Sequence, residues 1–168
     1  MSLEAVVDAS GLYRYSLGRS WADTRPSIAF IMLNPSSADH QRHDPTIRRC
    51  LALAQNWGYG SLRVVNLFAF RTAQPRLLKQ AIAPIGPDND AYIQAAVDQA
   101  ETTVLAWGNW GSLHKRDRAV FKLLSAQASK LYCLELNQTG QPRHPLYVPT
   151  GTSLKRWQQP ITDQKNLA

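Results

Sequence analysis

Six consecutive apolar residues, Ile28, Ala29, Phe30, Ile31, Met32 and Leu33, run straight into Asn34-Pro35 and a polar stretch that ends at Asp44. A run without polar alternation fits a strand covered on both faces, as in the middle of a parallel sheet. Such sheets bind ligands beyond the carboxyl ends of their strands. Asn34 falls at that end with a carboxamide that both donates and accepts hydrogen bonds, while Pro35 removes a ladder donor and fixes its own φ. The rest of the chain must therefore supply two covering layers and neighbouring parallel strands.

The segments that follow have that character. Asp44-Pro45 reads as an N-cap with proline at the first helical position, and Ile47, Cys50, Leu51 and Ala54 recur at helical spacing, which predicts a helix from Pro45 to about Trp57. Gly58 and Gly60 end it, Leu62 to Leu67 is the second strand, and a loop carrying Arg71 comes next. A short helix is expected over Pro75 to Ala83. Asp88 then caps a helix whose stripe is Ile93, Ala96, Val97 and Ala100. Thr102 to Trp107 is the third strand, ending in Gly108-Asn109-Trp110-Gly111. A helix from Lys115 to Ala128 and a fourth strand from Lys130 to Leu136 complete the series. Tyr13 to Leu17 alternates and reads as a short, peripheral edge strand or hairpin arm. Alternating strands and helices predict an α/β class with one parallel sheet and helices on both faces. The expected organisation is a single domain over 1–168, with an N-terminal edge strand or hairpin over 1–24 and a flexible tail over 158–168.

Length and composition exclude several classes. A chain of 168 residues buries roughly 70% of its unfolded surface and needs no staples. Cys50 and Cys133 fall inside a predicted helix and strand without CxxC spacing, which excludes a zinc or iron-sulfur site built from cysteine. No apolar run approaches the roughly 20 residues of a membrane span and no signal sequence is present, so a cytoplasmic protein with no membrane association is expected. The formal net charge is +7, and Arg42, Arg48, Arg49, Arg63, Arg71, Arg76 and Lys79 face a single acid, Asp44, in one stretch. A nucleic acid, DNA before RNA, or a nucleotide is the expected partner. A solvated basic surface is the competing reading. Nothing in the sequence fixes an oligomeric state.

There is no GxGxxG, no GxxxxGK[ST] and no GxSxG, which disfavours dinucleotide, P-loop and serine-hydrolase chemistry and leaves no cofactor expected. Asp39, His40, His43 and Asp44 have metal-ligating chemistry, but their crowding in one loop reads as a solvated turn, so no metal is expected. Asn34, Arg71, Asn109 and His144 all follow strand ends on one edge of the predicted sheet. Asn34 and His144 are the candidate catalytic pair. Pro35, Ser36, Asn66, Arg71, Asn109 and Trp110 are candidate substrate contacts, and Arg42, Arg48, Arg49 and Arg143 candidate phosphate contacts. Each has a plainer alternative: a turn at Asn34-Pro35-Ser36-Ser37, a capping histidine before Pro145, an Asn66 that ties loops together, and core for Trp107.

The segments RYSLGRSW (14–21), MLNPSSAD (32–39), DPTIRRC (44–50), WGYGSLRVVNLFAFR (57–71), WGNWG (107–111) and GQPRHPLY (140–147) together resemble the bacterial family catalogued as domain of unknown function 1643. A remoter similarity is to the uracil-DNA glycosylase superfamily, in which an Asn-Pro or Asp-Pro motif follows the first strand and a His-Pro motif follows the fourth. MLNPS, VVNLFAFR and His144-Pro145 stand in the corresponding places. Leu33 and Ser36 replace glycines of that pattern, and Leu146 replaces a serine. The resemblance implies a three-layer α/β/α sandwich with a four-stranded parallel sheet in order 2-1-3-4.

It also implies a nucleobase N-glycosylase-like enzyme acting on nucleic acid or a nucleotide derivative. Asn34 would position water or hold the base, and a neutral His144 would donate a hydrogen bond to the departing anionic base. The alternatives are a noncatalytic nucleic-acid or nucleotide-binding module on the same scaffold, and a hydrolase of a small anionic metabolite.

Overall fold

The computed structural model describes residues 1–36 and 44–158. Among these residues the strands are β1 (Ser2–Val7), β2 (Arg14–Ser20), β3 (Ser27–Met32), β4 (Ser61–Asn66), β5 (Thr102–Leu105), β6 (Leu131–Cys133) and β7 (Lys155–Arg156). They form one sheet in the order β1-β2-β4-β3-β5-β6-β7. β4, β3, β5 and β6 run parallel to one another, whereas β1, β2 and β7 join antiparallel.

The apolar run from Ile28 sits centrally because both of its faces are buried. Ile28, Phe30 and Met32 pack with Ile47, Cys50, Leu51 and Leu53 of α1 (Pro45–Asn56) on one face. Ala29 and Ile31 pack with Ile93 and Val97 of α2 (Asn89–Gln99) and Val120 and Phe121 of α3 (Arg116–Leu123) on the other. Full burial of a side chain such as Ile31 contributes about 1.5–3 kcal/mol. Helix α1 starts where the sequence places it: the Asp44 carboxylate accepts from Ile47 N at 2.8 Å, and Pro45 holds the first helical position.

The sheet corrects the expectation of four parallel strands. It is mixed and wider, since β1 and β2 form a hairpin on the β4 edge and β7 pairs with β6. β1 is mostly exposed and lacks a buried face, so its pairing rests on backbone hydrogen bonds that leave little mark on side-chain pattern. Tyr13 to Leu17 is not peripheral either, because β2 lies between β1 and β4 with all but its last residue buried. The predicted fourth strand stops at Cys133, and Leu136 bridges to Pro142 instead. The helix expected over Lys115 to Ala128 ends at Leu123 and passes into a 3-10 segment, Ser125–Lys130. There the Lys130 ammonium donates to the carbonyls of Val97, Asp98 and Ala100 at 3.0–3.1 Å, tying this segment to the C-terminus of α2. Pro75–Lys79 is likewise a 3-10 turn rather than a helix reaching Ala83.

One irregularity in β2 matters for the site. Val6 pairs with Ser16, but Val7 pairs with Arg14, so β2 carries one extra residue, Tyr15. Tyr15 stacks on Tyr92 of α2 with ring centroids 4.9 Å apart, and the Ser16 hydroxyl accepts from Arg63 at 3.0 Å. Those two side chains therefore share the α2 side of the sheet. Arg14 is turned to the α1 side, where Leu17 also lies.

Candidate functional site

Beyond the carboxyl ends of β3 and β4, a cavity of about 140 Å³ opens between the sheet, the first turn of α1 and the loop before Pro145. Its polar lining includes Arg14, Asn34, Ser36, Asp44, Asn66 and His144, set among Met32, Ile47, Val64 and Trp107. An apolar cavity of about 150 Å³ holds one benzene ring, so this space suits a single small ring.

Several of these side chains are fixed at one end and open at the other. The Asn34 amide donates to Thr72 O at 2.8 Å and to Pro35 O at 3.0 Å, while Thr72 N donates back to Pro35 O at 3.0 Å. The loops after β3 and β4 are clamped together in this way, and no described residue meets the Asn34 carbonyl oxygen Oδ1. His144 Nδ1 accepts from Leu146 N at 3.2 Å. That assigns the proton of a neutral ring to Nε2. Burial pushes the imidazole below its ordinary pKa, and the nearby Asp44 charge partly opposes the shift. Asp44 is itself held by Ile47 N and by the Ser36 hydroxyl, which donates to its other oxygen.

Asn66 is the last residue of β4 and only 2% exposed, yet its carboxamide makes no hydrogen bond with the described residues. Its backbone carbonyl is fully engaged in the scaffold, accepting from the Asn89 amide at 2.9 Å. Asn89 also donates to Leu67 O at 3.1 Å, where Arg116 Nε joins at 2.7 Å. Helices α2 and α3 thus grip the backbone that carries Asn66.

The loop bearing His144 is anchored from the opposite side. Trp107 Nε1 donates to Gln141 Oε1 at 2.8 Å, and Gln141 Nε2 donates to Asp117 at 2.9 Å. Gly108 N meets Pro142 O at 2.8 Å. Trp107 is core, as expected, and packs so closely on Gly111 that a Cβ there would lie 2.1 Å from the indole.

Of the residues singled out in the sequence, Asn34, Ser36, Asn66 and His144 share the cavity. Pro35 is buried and offers its carbonyl to the loop clamp. Arg71 donates to Gly11 O at 3.3 Å. Asn109 accepts from Asn137 and Thr139, Arg143 donates to Asn137, and the ring of Trp110 lies under Lys79 at 4.8 Å. These four stand outside the cavity lining. Arg49 reaches Thr150 from α1, on which Arg48 also lies. Arg42, together with Asp39, His40 and His43 of the metal reading and almost all of the tail over 158–168, lies outside the described residues. Among the described residues no cluster of His, Cys, Asp or Glu is suited to a metal, and no helix is long and apolar enough to cross a membrane. Both cysteines are buried, and burial raises both thiol pKa values.

Two charged cavity residues, Arg14 and Asp44, were not assigned to the cavity from the sequence. Asp44 carries a strong N-cap signal that conceals its second position on the cavity wall. Arg14 sits in an alternating strand where only the bulge at Tyr15 decides its face.

A family model described as a protein of unknown function, DUF1643, matches residues 14–146. The chain belongs to the DUF1643 family. The match opens at Arg14 and closes at Leu146, so every cavity residue of this DUF1643 protein lies inside it, while β1 and β7 lie outside. No curated protein and no solved structure matches the chain.

Proposed function

We propose that this protein is a nucleobase N-glycosylase-like enzyme that takes one base into the cavity between Asn34, Asn66 and His144. The observation that carries the reading is the convergence, on a space of ring size, of three polar groups without a partner among the described residues. The Asn66 carboxamide lines the cavity and offers it both a donor and an acceptor. A ligand presenting an acceptor and a donor in turn pairs with both, and the lactam edge of a base has this pattern.

In the reaction, the bond between the sugar C1′ and the ring nitrogen breaks with its electrons moving to the base. His144 Nε2–H then faces a ring whose negative charge is greatest after the ground state, which is where a donor accelerates chemistry. Asn34 Oδ1 accepts from the incoming water and orients it. The Asp44 carboxylate, across the cavity from no other acid among its described lining, stabilises the cationic sugar. Arg48 and Arg49 on the first half of α1 would meet phosphates next to the bound nucleotide.

The test is single-turnover base release from uracil-, hypoxanthine- and mismatch-containing oligonucleotides, and from the corresponding nucleosides and nucleotides. His144→Ala should slow release by about 10²- to 10³-fold, the scale for one charge-stabilising donor. Asn34→Ala should slow it as well. Equal rates in wild type and both variants would disprove the assignment. Wild type that binds free base yet releases none from any substrate would make the protein a binding module instead.

A further inference from the structure

The two edges of the sheet are built differently. β7 ends one side with two exposed residues, Lys155 and Arg156, and so short and cationic an edge resists further strand pairing. β1 ends the other side with the six residues Ser2–Val7, and its outer edge carries no further strand among the described residues. None of the six is a lysine, an arginine or a proline, and the bulge at this margin falls in β2 rather than in β1. The one charge on the strand, Glu4, is matched by Arg63 of β4 at 3.0 Å. Side chains alternate along a strand, so Leu3 and Val7 share the face of Ala5, which packs against the core around α1. Leu3 and Val7 are nevertheless 40% and 41% exposed.

We propose that β1 is a dimerisation edge, on which β1 of a second copy of this chain lies antiparallel, so that the two sheets become one. Register identifies the occupant. A two-fold axis perpendicular to the sheet keeps each face on its own side, so a residue opposes only residues of its own face. Centring the pair on Glu4 sets two carboxylates against each other, which is unfavourable. Centring it on Ala5 sets Leu3 against Val7 twice and each Glu4 against Val6. In that register the exposed apolar residues of the two strands cover one another, and both Glu4–Arg63 pairs stay intact. The strand is thus complementary to its own reverse, a property that pairing with an unrelated segment does not require. A contact through one strand is small and belongs at the weak end of specific association, with a dissociation constant of about 1–100 µM.

The test is sedimentation equilibrium of the full chain from about 1 µM to about 1 mM in about 0.5 M salt, which screens repulsion between copies of net charge +7. Wild type should pass from monomer to dimer across that range. Leu3→Lys and Val7→Lys should each weaken the dimer by about 10-fold or more, because a two-fold contact feels every substitution twice. Ile82→Lys, at a fully exposed apolar residue outside β1, should leave it unchanged. Cross-linking reads the register. Directly opposed residues of antiparallel strands stand about 4.5–5.5 Å apart at Cα, so Ala5→Cys should give a disulfide-linked dimer when copper phenanthroline oxidises the two thiols. Leu3→Cys should not, since its two copies stand roughly 14 Å apart. The native cysteines are both buried. A wild type that stays monomeric throughout would overturn the proposal and leave the edge to a strand of another protein. A dimer indifferent to both lysine substitutions, or one that cross-links at Leu3→Cys and not at Ala5→Cys, would overturn it as well.

Discussion

Asn66 and Asn89 are both buried asparagines beside the cavity, at 2% and 0% exposure, and only the Asn89 side chain is hydrogen-bonded among the described residues. Replacing each with leucine keeps the branching and the number of side-chain heavy atoms and exchanges the carboxamide for two methyl groups. At Asn89 the substitution deletes two hydrogen bonds, of 2.9 and 3.1 Å, to Asn66 O and Leu67 O. Each contributes about 1 kcal/mol, and a carbonyl left buried without a partner adds about 1–3 kcal/mol. Leu67 O keeps Arg116, so the second penalty falls mainly on Asn66 O. Asn89 Oδ1 has no partner, and its removal returns part of the loss. The expected cost of Asn89→Leu is therefore about 2–4 kcal/mol.

At Asn66 the carboxamide has no hydrogen bond among the described residues to lose, and a cavity-lining amide gives way to an apolar side chain. Asn66→Leu should change stability by less than about 0.5 kcal/mol or increase it by about 1 kcal/mol. Urea unfolding of both variants and wild type reads the difference directly: with m about 2 kcal/mol/M, the two midpoints should stand at least about 0.75 M apart. Asn66→Leu should also abolish binding of free bases while the fold persists. Equal destabilisation by the two substitutions, or a larger loss at Asn66, would show that the Asn66 carboxamide is structural and would remove it from the ligand site.

Gly111→Ala would drive a methyl to 2.1 Å from the Trp107 indole, which is itself held by Gln141. The expected loss is about 3 kcal/mol by thermal or urea unfolding, and a loss under about 1 kcal/mol would mean that Trp107 relaxes freely. The depressed pKa of His144 makes the unfolded chain the better proton acceptor in acid, so the stabilising contribution is complete above about pH 6.5, the ordinary value, and declines as pH falls below it. His144→Gln should flatten the stability–pH curve in that window, and a slope unchanged from wild type would contradict a buried neutral imidazole. If nucleic acid is the partner, affinity for an oligonucleotide should fall steeply with added salt, as phosphate contacts require; binding insensitive to salt would exclude that partner.

What the sequence discloses is the part of the fold that burial imposes. The residues Ile28 to Leu33 and the Asp44-Pro45 cap announce a central strand and α1, because a two-sided core and a helix start each demand particular residue types. Asn34 and His144 could be placed on one edge because each follows a strand end. The hairpin of β1 and β2 was hidden because its outer strand pairs through the backbone with little side-chain burial. The charge cluster was misleading in space: Arg63 stands near the start of β4, paired with Glu4 at 3.0 Å, while Arg48 and Arg49 lie on α1. Sequence proximity makes a charged surface only where the chain does not cross the sheet between the charges.

The cavity itself follows a rule that composition cannot express. Asn34 is held through its amide and leaves its carbonyl open; His144 is held through Nδ1 and leaves Nε2–H open; Asn66 is held through its backbone and leaves its whole carboxamide open. A group anchored at one end spends little further entropy when a ligand arrives at the other, which is the condition for strong stabilisation of a developing charge. Two anchors come from distant parts of the chain, Thr72 for Asn34 and Asn89 for the strand end of Asn66, while Leu146, which holds His144, lies two residues on. A substitution at an anchor should therefore loosen the geometry of a group it does not replace. Asn89→Leu, beyond its cost in stability, is expected to weaken base binding under conditions where the variant is still fully folded, whereas Gly58→Ala, in a turn at the opposite end of α1, is expected to leave the affinity of the folded fraction unchanged. Indistinguishable affinities in folded wild type and folded Asn89→Leu would mean that the position of Asn66 does not depend on the hydrogen bond from Asn89 to its carbonyl.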